Sequence, residues 1–122
     1  MIEVFYMAIS PSYLMYMTIG VMLGLVVGTL PGLTATMGTA LLVPFTFALP
    51  TGEGIAMLGG LYVCAMFSDA IPACLVNTPG TPAAMATGFD GYPMVKQGRG
   101  QEAIVAACFS SALGTIFGAA CY

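Results

Sequence analysis

The chain has 122 residues, of which 59% are apolar and 6% charged, against about 25% charged in an ordinary soluble domain. That composition excludes a disordered chain, which needs low hydrophobicity and high charge. It also excludes a nucleic-acid binder, since Lys96 and Arg99 are the only cations, and it leaves too little polar surface to coat a water-soluble globule.

Charge is absent from Val4 to Gly52. A helix crossing a hydrocarbon core of about 30 Å needs about 20 mostly apolar residues, so this stretch holds one full span and a shorter second element. No Lys or Arg precedes the first apolar run, so it does not read as a cleaved signal. Residues Tyr13–Leu30 read as the first span. Gly20, Gly24 and Gly28 recur every four residues along it, Gly32 continues the spacing, and small residues so spaced let a second helix backbone approach. The bland alternative is that glycine is simply common in membrane helices.

Pro31 and Gly32 then break the helix without a single charge nearby. Gly38–Leu49 is apolar again but only about half a span long and contains Pro44. A short apolar element entered through a Pro-Gly break is the pattern of a re-entrant or discontinuous helix. Pro50–Gly54 reads as a turn. Ile55–Val76 reads as the next membrane element, with Asp69 and Pro72 in its last third. A carboxylate inside a span is a functional-site hypothesis by default. Asp69 could hold a cation, relay a proton or pair with a distant cation. Alternatively it lies near the interface, with Pro72 ending the helix.

Asn77–Pro82 breaks the chain again. Ala83–Gly88 is too short to span, and Phe89–Arg99 reads as a hydrophilic loop in which Asp90-Gly91 forms a turn. Lys96 and Arg99 place that loop on the cytoplasmic side by the positive-inside tendency. Ala103–Tyr122 is a further span, with Gly114 and Gly118 again four apart. The chain stops inside this apolar run without a polar flank. It therefore reads as the N-terminal part, residues 1–122, of a single larger membrane domain, truncated within a transmembrane helix. Cys64, Cys74, Cys108 and Cys121 form no Cys-x-x-Cys pair, and without histidine they read as inert packed or lipid-facing residues.

The fold expected is all-α: a polytopic integral membrane protein with transmembrane helices and interrupted or re-entrant segments. Two segments echo each other, Pro31-Gly32-Leu33-Thr34-Ala35 and Pro79-Gly80-Thr81-Pro82-Ala83. Irregular backbone at membrane depth is tolerated only when buried in protein or lining a wet cavity; at the surface both would be ordinary loops. Enzyme chemistry has few tools in this chain, with no histidine and no G-x-S-x-G. Hydroxyls, amides and freed carbonyls instead suit a hard cation, and half-helix N-termini suit a carboxylate. The candidate substrate- or ion-binding residues are Pro31, Gly32, Thr34, Thr36, Asp69, Asn77, Thr78, Gly80 and Thr81. A sodium ion would sit at Thr34, Asn77 and Asp69. No resident cofactor is expected, only coupling Na⁺ or H⁺. The rival reading is a small hydrophobic assembly subunit with no substrate site, its glycine faces serving packing alone.

Three motifs occur in a definite order: Leu30-Pro31-Gly32-Leu33-Thr34, Asn77-Thr78-Pro79-Gly80-Thr81-Pro82-Ala83, and Asp90-Gly91-Tyr92-Pro93-Met94 with Gln97-Gly98-Arg99. With them, essentially the whole chain resembles the large membrane subunit of the tripartite tricarboxylate transporters. The resemblance implies a multi-pass permease of the bacterial inner membrane, several times longer than this chain. It implies a small membrane subunit and a periplasmic solute-binding protein as partners. The implied substrates are citrate-like tricarboxylates or other organic acids, taken up on an ion gradient. Phe67–Pro72 stands where many relatives carry a Gly-Gly-Ser-like stretch, which would mark a subgroup.

Overall fold

A run of apolar residues free of charge can satisfy its backbone only internally, and helices do so within one segment. In the computed structural model, which describes residues 2–122, most of the chain takes that solution. The described residues form α1 (Ile2–Ala8), α2 (Pro11–Thr29), α3 (Ala35–Thr46), α4 (Thr51–Ser68), α5 (Ala70–Val76), α6 (Pro82–Lys96) and α7 (Gly100–Cys121), with no strand among them. Three stretches are long and apolar enough to cross a membrane: Pro11–Thr29, Thr51–Val76 and Gly100–Cys121.

The 19 residues of α2 begin with Pro11, whose missing N–H is harmless at a helix start. The helix stops at Leu30, which is extended (ψ 116°) because the ring of Pro31 crowds an α conformation there. Gly32 follows at φ 88°. Nothing lies within 4 Å of the place its Cβ would take, so Gly32 does not continue the packing stripe. It serves the turn, by adopting a left-handed conformation that other residues resist.

Gly20, Gly24 and Gly28 do form the contact face. They lie against the backbone of Met57, Leu61 and Ala65 respectively. The partners ascend together, so α2 and α4 run parallel, and α3 must carry the chain back between them. Gly38 of α3 packs on Val27 and Leu61, and Gly54 of α4 packs on Thr46. The turn expected at Pro50–Gly54 lies earlier, at Phe47–Pro50, because α4 already starts at Thr51. Glu53 lies in its first turn, where the helix dipole favours a carboxylate.

α4 and α5 are one 26-residue rod with an interruption at Asp69. Pro72 causes it. With no N–H, Pro72 cannot donate to the Ser68 carbonyl four residues back, and its ring pushes on that carbonyl. Bonds on either side persist, from the Asp69 amide to Ala65 and from the Ala73 amide to the Asp69 carbonyl. The core follows this rod, through Leu61, Ala65, Ala73 and Cys74.

The largest departure from the sequence reading is α6. Residues expected as a small-residue segment plus a hydrophilic loop form one helix, Pro82–Lys96, and Asp90-Gly91 lies within it rather than in a turn. Gly88 and Gly91 are there for packing, against Ala73 and Cys74 of α5. Gly98 (φ 80°) closes the helix, with the Gly98 amide donating to Val95 O and the Arg99 amide to Met94 O. That pair of bonds is a Schellman ending. The hydrophilic loop shrinks to Gln97–Arg99. Contacts between α5 and α6 also ascend together, Asp69 meeting Thr81, Ala73 meeting Gly88 and Cys74 meeting Gly91. The two therefore run in the same direction, and the return is made by the non-helical residues Asn77–Thr81. α7 starts beside an Arg99–Glu102 ion pair. Gly114 and Gly118 on α7 have open space around them, so this second glycine pair has no partner helix among the described residues. All four cysteines are free; Cys74 is buried and Cys121 exposed.

Candidate functional site

Both chain breaks end in a threonine that starts the next helix. Thr34 is extended and its Oγ1 accepts from the Met37 amide at 3.2 Å. Thr81 is likewise extended and its Oγ1 accepts from the Ala84 amide at 3.3 Å. Such caps satisfy one of the amides that a helix start leaves without an intrahelical acceptor. The Thr34 and Thr81 carbonyls take the amides of Gly38 and Met85. Pro82 has no amide hydrogen. The uncapped first-turn N–H groups are thus those of Ala35 and Thr36 on α3 and of Ala83 on α6.

The two breaks meet. A Cβ on Gly80 would lie 2.6 Å from the Leu33 carbonyl oxygen and 2.9 Å from Asp69 Oδ1, so only glycine fits between them. Asp69 occupies the interruption of the α4–α5 rod and is 2% exposed. Its Oδ1 accepts from the Gly80 amide at 2.8 Å and its Oδ2 from the Thr81 hydroxyl at 2.6 Å. The carboxylate therefore faces the start of α6, where the helix dipole favours negative charge. Neither cation of the chain reaches it. Lys96 stacks over the Tyr92 ring, 4.8 Å from its centroid, and Arg99 bonds Glu102 through Nε at 2.9 Å. That hydrogen bond, with the Glu102 charge, raises the exposed Arg99 guanidinium above its already high ordinary value.

Of the nine residues expected from sequence, Asp69, Gly80 and Thr81 are joined by hydrogen bonds, and the Leu33 carbonyl links them to the first break. Thr34 and Thr36 share a hydroxyl–hydroxyl bond of 3.0 Å. Pro31, Gly32, Asn77 and Thr78 are exposed. Asn77 caps α5 in the left-handed region (φ 55°, ψ 33°). The proposed sodium set of Thr34, Asn77 and Asp69 shares no direct bond among the described residues, and no group of three His, Cys, Asp or Glu gathers there.

Sequence reasoning missed two parts of the site. One is Ser68, whose Oγ reaches the Gly24 and Ala65 carbonyls at 3.4 Å each and lies where a Gly28 side chain would go. Its position beside Asp69 was the available signal. The other is a cavity of about 600 Å³ beside Thr81, walled by α4 to α7. Its wall is mostly apolar, with hydroxyls from Tyr62, Thr81, Thr87, Ser110, Ser111 and Thr115.

The family model described as the tripartite tricarboxylate transporter TctA family matches residues 14–122. The chain belongs to this family. As a TctA-family chain it is part of a multi-pass membrane transporter component, in keeping with its three stretches of membrane-crossing length. It is 37% identical over 110 residues to a 52.8 kDa Agrobacterium vitis protein, described as uncharacterized and as lying in the TAR-I ttuC′ 3′ region. That alignment covers 90% of this chain and 21% of the relative, so the chain spans about a fifth of the relative's length. No solved structure matches it.

Proposed function

We propose that this TctA-family chain forms part of a permease that takes up citrate-like tricarboxylates or other organic acids across the bacterial inner membrane. Uptake draws on a sodium or proton gradient, and the permease works with a small membrane subunit and a periplasmic solute-binding protein. The chain binds and conducts rather than reacts. The observation that carries the reading is the meeting of two interrupted helices at Leu33 and Gly80. Two helix starts thereby lie close together, each with first-turn N–H groups free to meet a carboxylate. Along the 26-residue α4–α5 rod, Asp69 lies about 8 Å from the middle at about 1.5 Å per residue. A rod centred in the bilayer would hold the junction inside a hydrocarbon core of about 30 Å. In this reading the amides of Ala35 and Ala83 donate to the substrate carboxylate, Thr36, Asn77 and Thr78 contact that carboxylate or its cation, and Thr34 orients Thr36.

The test is uptake by the full-length permease with its binding-protein partner, across labelled carboxylates, with and without sodium. Thr34→Val and Asn77→Ala are expected to raise the half-saturating substrate or sodium concentration. Unchanged kinetics in both variants would sink the site. Variants that lose only complex assembly, with uptake per assembled complex intact, would favour a packing role.

A further inference from the structure

We propose that Asp69 is a positioning residue of this site: its carboxylate clasps the start of α6 to the interruption of the α4–α5 rod, holding the two breaks together, and it does not ligate the coupling cation. The inference rests on the proposed transport site and assigns one residue's role within it.

Both carboxylate oxygens are engaged within the chain, Oδ1 by the Gly80 amide and Oδ2 by the Thr81 hydroxyl. The bonded residues open α6, and the Leu33 carbonyl abuts the same Cβ position of Gly80 that Asp69 Oδ1 does. Pulling Gly80 towards Asp69 therefore also sets the first break. The neighbouring Ser68 points the other way, to Gly24 on α2. Two consecutive side chains at the interruption thus tie the rod to α2 on one side and to α6 on the other. The same clasp fixes Thr81 where it borders the cavity. A buried carboxylate needs its lone pairs satisfied; here in-chain donors and the α6 dipole do it, with no ion required.

Geometry and charge are separable, because Asn has the shape of Asp. In Asp69→Asn the carbonyl can accept from the Gly80 amide and the NH₂ can donate to the Thr81 oxygen. Asp69→Ala removes both bonds. In the full-length permease, Asp69→Asn is expected to keep uptake within about threefold of wild type, with unchanged half-saturating sodium and an unchanged pH profile. Asp69→Ala is expected to lower uptake about tenfold or more, as loss of a buried hydrogen-bonded anchor does. A rise of about tenfold in half-saturating sodium, or loss of ion dependence, in Asp69→Asn would overturn the proposal and make Asp69 a coupling group.

Thermal unfolding of the purified permease gives a readout independent of substrate. Asp69→Asn should melt near wild type and Asp69→Ala well below it; equal melting of wild type and Asp69→Ala overturns the clasp. Should wild type take up no organic acid, the proposed substrate fails while this series still decides the role of Asp69. If Asp69→Ala does not fold, the sodium titration of Asp69→Asn decides alone.

Discussion

Gly80 presses its Cα side against the Leu33 carbonyl, leaving 2.6 Å between that oxygen and the place a Cβ would take. One obstacle at that position is backbone, and the other is Asp69 Oδ1 at 2.9 Å. Neither is the loose end of a flexible side chain. Gly80→Ala is therefore expected to push the two breaks apart and to destabilise by about 1–3 kcal/mol, as overpacking does. Thermal unfolding of the full-length permease reads the loss, and uptake should fall with it. An alanine variant that melts and transports like wild type would mean that the two breaks do not touch.

The α2–α4 seam offers a graded comparison on one pair of helices. At Gly24 a Cβ would meet Leu61 Cα at 2.9 Å, and at Gly28 it would meet Ala65 Cα at 3.0 Å and displace the Ser68 hydroxyl. Gly59 on the other side of α4 has nothing within 4 Å. Gly24→Ala and Gly28→Ala are expected to destabilise by about 1–3 kcal/mol each. Gly59→Ala is expected to be neutral or to stabilise by up to about 1 kcal/mol, since alanine is the better helix former. Monodispersity in mild detergent and melting temperature check the ranking; equal effects at all three positions would refute the parallel seam.

This seam was legible in the sequence because the signal is local: three glycines four apart in a charge-free run can serve only a close neighbour or chance. The same spacing at Gly114 and Gly118 has no partner here, so periodicity reports a face that can pack, not what packs on it. α6 was illegible for the opposite reason. Asp90, Gly91 and Pro93 carry turn chemistry locally, and what makes them helical is tertiary, namely Gly91 lying against Cys74. Among the site residues, Asp69 and both Pro-Gly segments could be named from composition. That Asp69 bonds Gly80 and Thr81, and that Gly80 meets Leu33, depends on a kink at Pro72 and on α6 running alongside α5, which no local pattern states.

Thr81 carries two bonds on one oxygen, donating to Asp69 and accepting from the Ala84 amide. Thr81→Val keeps the shape and removes both. Loss of the cap costs about 0.5–2 kcal/mol, and the uncompensated Asp69 oxygen adds about 1–3 kcal/mol. Thr81→Ser retains both bonds and is expected to stay within about 0.5 kcal/mol of wild type, the usual range for substitutions that spare such features. Chemical or thermal unfolding of the three proteins side by side checks this. Equal stability of Val and Ser would show that the hydroxyl contributes nothing at the junction.

Asn77 combines a backbone role with a proposed binding role, and two substitutions pull them apart. Its φ of 55° and ψ of 33° lie in the left-handed region, which asparagine and glycine accept and alanine resists by about 1–2 kcal/mol. Its side chain is exposed, with Oδ1 beside Gly88. Asn77→Gly therefore keeps the turn and removes the amide, whereas Asn77→Ala disturbs both. On stability, Gly is expected near wild type and Ala about 1 kcal/mol lower. On uptake, the two are expected to show the same rise in half-saturating substrate or sodium, because both lack the amide. The decisive measurement is the kinetics of Asn77→Gly. A variant that folds normally and transports with unaltered affinity would leave Asn77 only its turn, and the binding role would pass to the N–H groups at the starts of α3 and α6.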